Sequence, residues 1–257
     1  LNDKKNQGIS EKTWKNVKNI GKKYNYSGNN KIRRLNKRKF IFFMEEFSYN
    51  ENVASKLLDG FNDYDLKSHQ FVFLFNKLLD NKKNIFKAID EFKPDGIIIA
   101  YSYTKKIEIN LNNLKLSKIL LNCYSNNFNG LTILPDDYNG AKKAVNYLFQ
   151  NNLTKIPIIL SSDTWMKGYK DRLSGWRDAH TENNIDYKDS FIVQPKSNLE
   201  NGGYLETKKL FKKNKKIDAI FCTSDEIAMG AYQAIKEVGL KIPNDISVIG
   251  FDNSRIS

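Results

Sequence analysis

The 257-residue sequence is 40% apolar and 28% charged, which excludes a disordered chain or one embedded whole in a membrane and suffices for one large or two modest α/β domains. No apolar run is long enough to span a bilayer, and the lysine-rich start lacks the apolar h-region of a secretory signal. The net charge of +13 is local: residues 1–40 hold 13 Lys/Arg against 2 Asp/Glu, and residues 41–257 hold 29 against 27. A near-neutral body therefore carries a basic arm, the pattern of a polyanion-binding segment or of a solubilising tail.

Within the arm, Ser10 is an N-cap signal ahead of Trp14, Val17, Ile20 and Tyr24 at helical spacing. After a break at 25–28 comes a very basic stretch containing Asn29, Lys31, Arg33 and Arg34, with Ile32 and Leu35 one helical turn apart. Too short for a stable helix alone, it would fold on a partner. A leucine among arginines suits an apolar wedge in a DNA minor groove, with Arg and Lys on phosphates; a solvated linker is the plain alternative. From Phe40 the pattern changes to alternating strands and helices. Strands are expected at 40–44, 71–75, 96–101, 119–121 and 131–134, and helices at 53–64 and 84–92. Asp136 opens a helix through Ala141, Ala144, Val145 and Leu148. A second series follows, with strands at 156–160, 191–193, 217–222 and 246–251 and helices about 173–180, 203–211 and 225–238. Repeated βα units with short connections predict an α/β fold of two doubly wound parallel-sheet lobes after a helical arm.

The stretch 216–253 is one complete βαβ unit. Its strands end in Ser224-Asp225 and in Asp252-Asn253, and Gly239 stops the helix between them. In a right-handed unit both loops lie on the carboxyl edge of the sheet, where open α/β sheets bind ligands. A cleft for a small polar molecule is the expectation. Catalytic signals are missing. His69 and His180 have no nucleophile motif beside them, and there is no Walker loop, GxGxxG after a strand, HExxH or CxxC spacing. Gly202-Gly203 opens a helix without the rest of a phosphate-binding pattern. Neither enzyme chemistry nor a cofactor nor a metal is expected, and Cys123 and Cys222 read as buried thiols of a reducing compartment.

Taken in order, these features resemble the LacI/GalR family of bacterial transcription regulators. The likeness is densest at Thr223-Ser224-Asp225-Glu226-Ile227-Ala228-Met229-Gly230 and Pro243-Asn244-Asp245-Ile246-Ser247-Val248-Ile249-Gly250-Phe251-Asp252. Two further segments carry it: Ile9-Ser10-Glu11-Lys12-Thr13 onward to Leu35, and Arg172-Leu173-Ser174-Gly175-Trp176-Arg177-Asp178-Ala179. The resemblance implies a periplasmic-binding-protein-like core at 40–257, with lobes at about 40–152 and 153–257, behind a partial helix-turn-helix head and hinge at 1–39. It implies a ligand-responsive repressor, cytoplasmic and nucleoid-associated, that binds operator DNA as a homodimer and senses a sugar-like effector between its lobes. A sugar-binding protein of a transport system is the alternative. Leu35 would be the lever between base pairs, with Arg33, Arg34, Asn29 and Lys31 on the DNA. Arg172 and Asp252 would anchor the effector, with Ser224 and Asp225 at the cleft edge. Asp136 would cap its helix, and Trp165 and Phe128 are candidate stacking rings. The sequence departs from the family at Ile32, at Gly28 and at Asn152-Leu153, where Gly-His is usual, so that turn must be built differently. Its ends resemble interior points of the family pattern, which makes a fragment with unfinished sheet edges and poor solubility the expectation.

Overall fold

The structure, a computed structural model, describes residues 38–44, 60, 69–75, 82–163, 166–196, 200–213, 216–254 and 256–257. The expected helix at 53–64, apart from Gly60, lies outside them, as do Trp165 and all of 1–37, and with them the expectations for Asn29, Lys31, Arg33, Arg34 and Leu35.

The first lobe is built from β1 (Lys39–Met44), β2 (Gln70–Phe75), α1 (Lys82–Phe92), β3 (Gly96–Lys106), β4 (Ser117–Tyr124) and β5 (Leu131–Ile133). Its parallel sheet has the order β2-β1-β3-β4-β5. Consecutive residues of β1 point to opposite faces: Ile41 and Phe43 join Ile85, Ile97, Ile99 and Leu120 in one core, and Phe42 and Met44 join Ala100 in another. Burial on both faces is why the strand reads as an unbroken apolar run instead of an alternation.

The second lobe contains α2 (Asp137–Gln150), β6 (Ile158–Ile159), α3 (Lys167–Glu182), a 3-10 turn (Asp189–Phe191), β7 (Ile192–Val193), α4 (Glu200–Lys213), β8 (Ala219–Cys222), α5 (Asp225–Glu237) and β9 (Ser247–Ile249). The sheet is parallel, in the order β7-β6-β8-β9. One face packs on α2 and α3 through Val145, Leu148, Ile158, Trp176 and Phe221, the other on α4 and α5 through Leu210, Ile220, Ile227 and Ile235. The apolar stripe of α2 thus belongs to the second core, although the helix precedes the lobe boundary expected near 152. Gly203 and Gly230 set the approach of α4 and α5: a Cβ would stand 2.0 Å from the Ile227 carbonyl oxygen or 1.8 Å from that of Glu200.

The helix ends show how the Asn152-Leu153 turn is made. Asn152 adopts φ 62°, its N–H donates to the Phe149 carbonyl, and the Leu153 N–H donates to that of Leu148. This is a Schellman cap with asparagine in the left-handed position that glycine commonly fills. Asn184 closes α3 and Gly239 closes α5 by the same pair of bonds. At the other end of α2, the Asp136 side chain accepts from the Asn139 N–H, so it is the N-cap the sequence implied.

Candidate functional site

Both sheets present their carboxyl ends to one cavity of about 300 Å³, lined by Ser102, Tyr103, Thr104, Asn122 and Pro135 on one side and by Asp137, Met166, Gly168, Tyr169, Arg172, Phe251 and Asp252 on the other. The second-lobe wall is organised by α3. Trp176 is wholly buried and its indole N–H donates to the Ile156 carbonyl at 3.0 Å, which fixes the helix on the sheet. One turn earlier, Arg172 emerges at the carboxyl edge. Its Nε–H donates to Asp137 Oδ1 at 2.8 Å, Nη1 to the Thr223 carbonyl at the end of β8, and Nη2 to Asp252 Oδ1 at 2.9 Å. The guanidinium carbon lies 3.8 Å from the centroid of the Phe251 ring and 5.2 Å from that of Tyr169. Burial pulls the pKa of Arg172 down, but Asp252 and Asp137 outweigh it and hold the group above its ordinary value. Burial likewise raises the pKa of Asp252 above the usual carboxylate value, against the lowering effect of Arg172 and with the help of Glu226 and Asp225. Tyr169 is also raised, chiefly by burial.

Two of the four ligand residues expected from the sequence, Arg172 and Asp252, meet here. Ser224 and Asp225 do not line the cavity. Ser224 is buried as the N-cap of α5, its hydroxyl oxygen accepting from the Ile227 N–H at 3.3 Å. Asp225 is buried beside it, and its Oδ2 accepts from the Ser254 N–H at 2.7 Å. Asp252 and Asn253 take φ values of 98° and 51°, a left-handed pair that needs holding, and Asp225 supplies one of the holds. Phe128 packs against the first core and over Gly130 instead of facing the cavity.

The structure adds residues that the sequence did not single out. Asp137 is the main one. It occupies the first position of α2, four residues before Ala141 and eight before Val145, and all three are buried on one face. A carboxylate on an apolar helical stripe was the available signal, masked by Asp136 next to it. On the first-lobe wall, the β3–β4 register shifts between Ala100 and Lys105. The resulting bulge turns Ser102 to Thr104 toward the cavity. Asn122, at φ 54°, ties it down: its Oδ1 accepts from the Thr104 hydroxyl at 2.7 Å and its Nδ2 donates to the Tyr101 carbonyl at 3.1 Å.

Remaining expectations fall in the cores. Cys123 and Cys222 are buried free thiols, the latter with its pKa pushed well up by burial. His180 is wholly buried against Trp176, Phe149 and Tyr187. Its Nδ1 lies 2.8 Å from the Trp176 carbonyl oxygen. His69 makes an edge contact with Phe40.

Two parallel-sheet lobes facing one another across a polar cavity, with an arginine held between carboxylates at the strand ends, define a two-lobed small-molecule-binding core. Residues 61–255 match the family described as periplasmic binding proteins and sugar binding domain of LacI family, and the chain belongs to that family. It is 25% identical to the HTH-type transcriptional repressor PurR of Aliivibrio fischeri, over 98% of this chain and 77% of that protein. It is 26% identical to the probable HTH-type transcriptional repressor ExuR of Bacillus subtilis, over 94% of this chain and 82% of that one. A LacI-family regulatory protein from Chloroflexus aggregans shares the fold, with a TM-score of 0.71 at 19% identity over 84% of this chain and 79% of the other.

Proposed function

We propose that the cavity holds a small, sugar-like effector and that the chain, a DNA-binding transcriptional repressor of the LacI kind, changes its hold on operator DNA when that effector binds. The observation that carries the reading is Arg172, which gathers Asp137, Asp252 and the end of β8 at one point of the cleft. Its fork offers donors and Asp252 offers acceptors, a complementary set for vicinal hydroxyls. The repressor names of the relatives and the basic balance of residues 1–40 support an operator partner over a transport system. The protein acts as a homodimer on a pseudo-palindromic site in the bacterial cytoplasm, on the nucleoid. Arg33, Arg34, Asn29 and Lys31 hold the DNA while Leu35 wedges the minor groove. Effector binding between the lobes biases two states of different closure, and the dimer transmits the difference to the arm.

The test joins the two ends of the molecule. Operator affinity is measured by fluorescence titration with and without sugars that raise the melting temperature. Leu35→Ala weakens operator binding at least about tenfold, the effect of losing an apolar wedge, and leaves sugar affinity as it was. Equal operator affinity in the variant removes Leu35 from the interface; operator affinity indifferent to every bound sugar removes the regulatory coupling.

A further inference from the structure

Arg172 is the only cation among the described residues that line the cavity, and it is already compensated. Asp137 and Asp252 stand within hydrogen-bonding distance of it on two sides, so the described lining holds two carboxylates against one guanidinium, a formal net of −1. The two are placed differently. The Asp137 side chain is 3% exposed and that of Asp252 is 30% exposed, so the first stands behind the arginine and the second faces the space a ligand would enter. Asp137 is also hemmed in, since a Cβ on Gly168 would lie 2.7 Å from its Oδ2. A third side of the guanidinium is covered by the Phe251 ring. What the arginine still offers a ligand is one N–H on each terminal nitrogen.

Among the described residues, two further cations near the lining are already engaged. Lys167, next to the lining residues Met166 and Gly168, is paired with Asp171. Lys105 lies over the rings of Tyr101 and Tyr103, 4.9 and 6.0 Å from their centroids. Asp225 and Glu226, at the start of α5, add negative potential at Asp252. The first-lobe wall contributes hydroxyls and an amide, which are neutral.

We propose that Asp137 sets the charge selectivity of the cleft: by occupying the inner side of Arg172 it makes the site accept uncharged polyhydroxylated effectors and reject those that carry a carboxylate or phosphate. The inference rests on the effector reading of this cavity. An anionic group brought to Arg172 meets two carboxylates already bonded to it in a poorly solvated setting, where like charges repel strongly. A neutral hydroxyl donates to Asp252 and accepts from the free N–H donors without adding charge. Asp137 is thus a specificity residue acting through Arg172, distinct from the two anchors.

The experiment is calorimetric titration of the full chain with matched pairs: D-glucose and D-glucuronate, D-galactose and D-galacturonate. In the wild type, binding is confined to neutral members. Asp137→Asn keeps an acceptor for the Arg172 Nε–H while removing the charge, and it narrows the neutral-to-anionic ratio of affinities by at least about tenfold, as expected for one unit charge a few ångströms away. Asp252→Asn removes a charge from the outer side, on an open loop, and narrows the same ratio even if the Asp137 variant fails to fold. A wild type that binds the acids as tightly as the neutral sugars, a ratio unmoved in folded Asp137→Asn, or, where that variant does not fold, a ratio unmoved in Asp252→Asn, overturns the charge filter while leaving the effector site standing. No binding of any pair member to wild type or variants overturns the effector reading itself, and the filter with it.

Discussion

The two walls of the cleft are made in opposite ways. The second-lobe wall is charged and internally bonded: Arg172, Asp137 and Asp252 are drawn from α3, α2 and the loop after β9, and each depends on the others. The first-lobe wall is neutral and comes from one irregularity in one strand pair, the bulge of β3 held by Asn122. The difference suggests a division of labour. The second lobe presents a ligand with charged groups that hold one another, and the first lobe presents it with neutral hydroxyls and an amide whose bonds stay within that wall.

The harshest way to break this comparison is Arg172→Ala. It leaves the Asp137 carboxylate buried and unpaired, which destabilises the second lobe by roughly 3–5 kcal/mol and abolishes effector binding. Denaturant unfolding and calorimetry read the two losses, and unaltered effector binding would remove the arginine from the site. Asn122→Ala is the corresponding cut in the first-lobe wall. It strands the buried Thr104 hydroxyl and removes the amide's bond to the Tyr101 carbonyl, an effect of about 1–3 kcal/mol, and it weakens effector binding without eliminating it. A loss as complete as that of Arg172→Ala would contradict the division between charged and neutral walls.

The mildest test uses pH. Burial lowers the pKa of His180 from its ordinary 6.5, and protonation would place a charge among Trp176, Phe149 and Tyr187. The unfolded chain takes up a proton as the pH falls through 6.5, the folded chain only further down. The contribution of His180 is therefore full above that window and lost as the pH falls through it. The melting temperature of the second lobe should drop between about pH 7.5 and about pH 5.5, and His180→Phe should flatten the drop. An identical pH profile in the variant would mean that other groups carry it.

Much of this architecture could be read before any coordinates. Apolar runs and helical spacing locate the strands and helices of both lobes because burial on one or two faces leaves a period in the sequence. The site was only half readable. Arg172 and Asp252 follow from segments that resemble a family, whereas Ser224 and Asp225 show why a polar pair at a strand end is ambiguous. The same residue types serve a helix start or a ligand, and here they cap α5 and hold Ser254. Asp137 escaped notice because its role is tertiary, created by an arginine 35 positions further along. The bulge at 101–104 escaped for the same reason, since its holding bonds come from Asn122 on the neighbouring strand.

The glycine contacts between α4 and α5 bear on how a signal leaves the cleft. With backbone against backbone at Gly203 and Gly230, neither helix can slide along the other without a collision of main chains. The pair is packed as one plate on its sheet by Ile227, Ile235 and Leu210. Because α5 begins where Asp225 accepts from the Ser254 N–H, the loop of Asp252 is tied directly to the start of that plate. Tyr232 and Met229, exposed on the outer side of α5, lie on that plate and would report its angle.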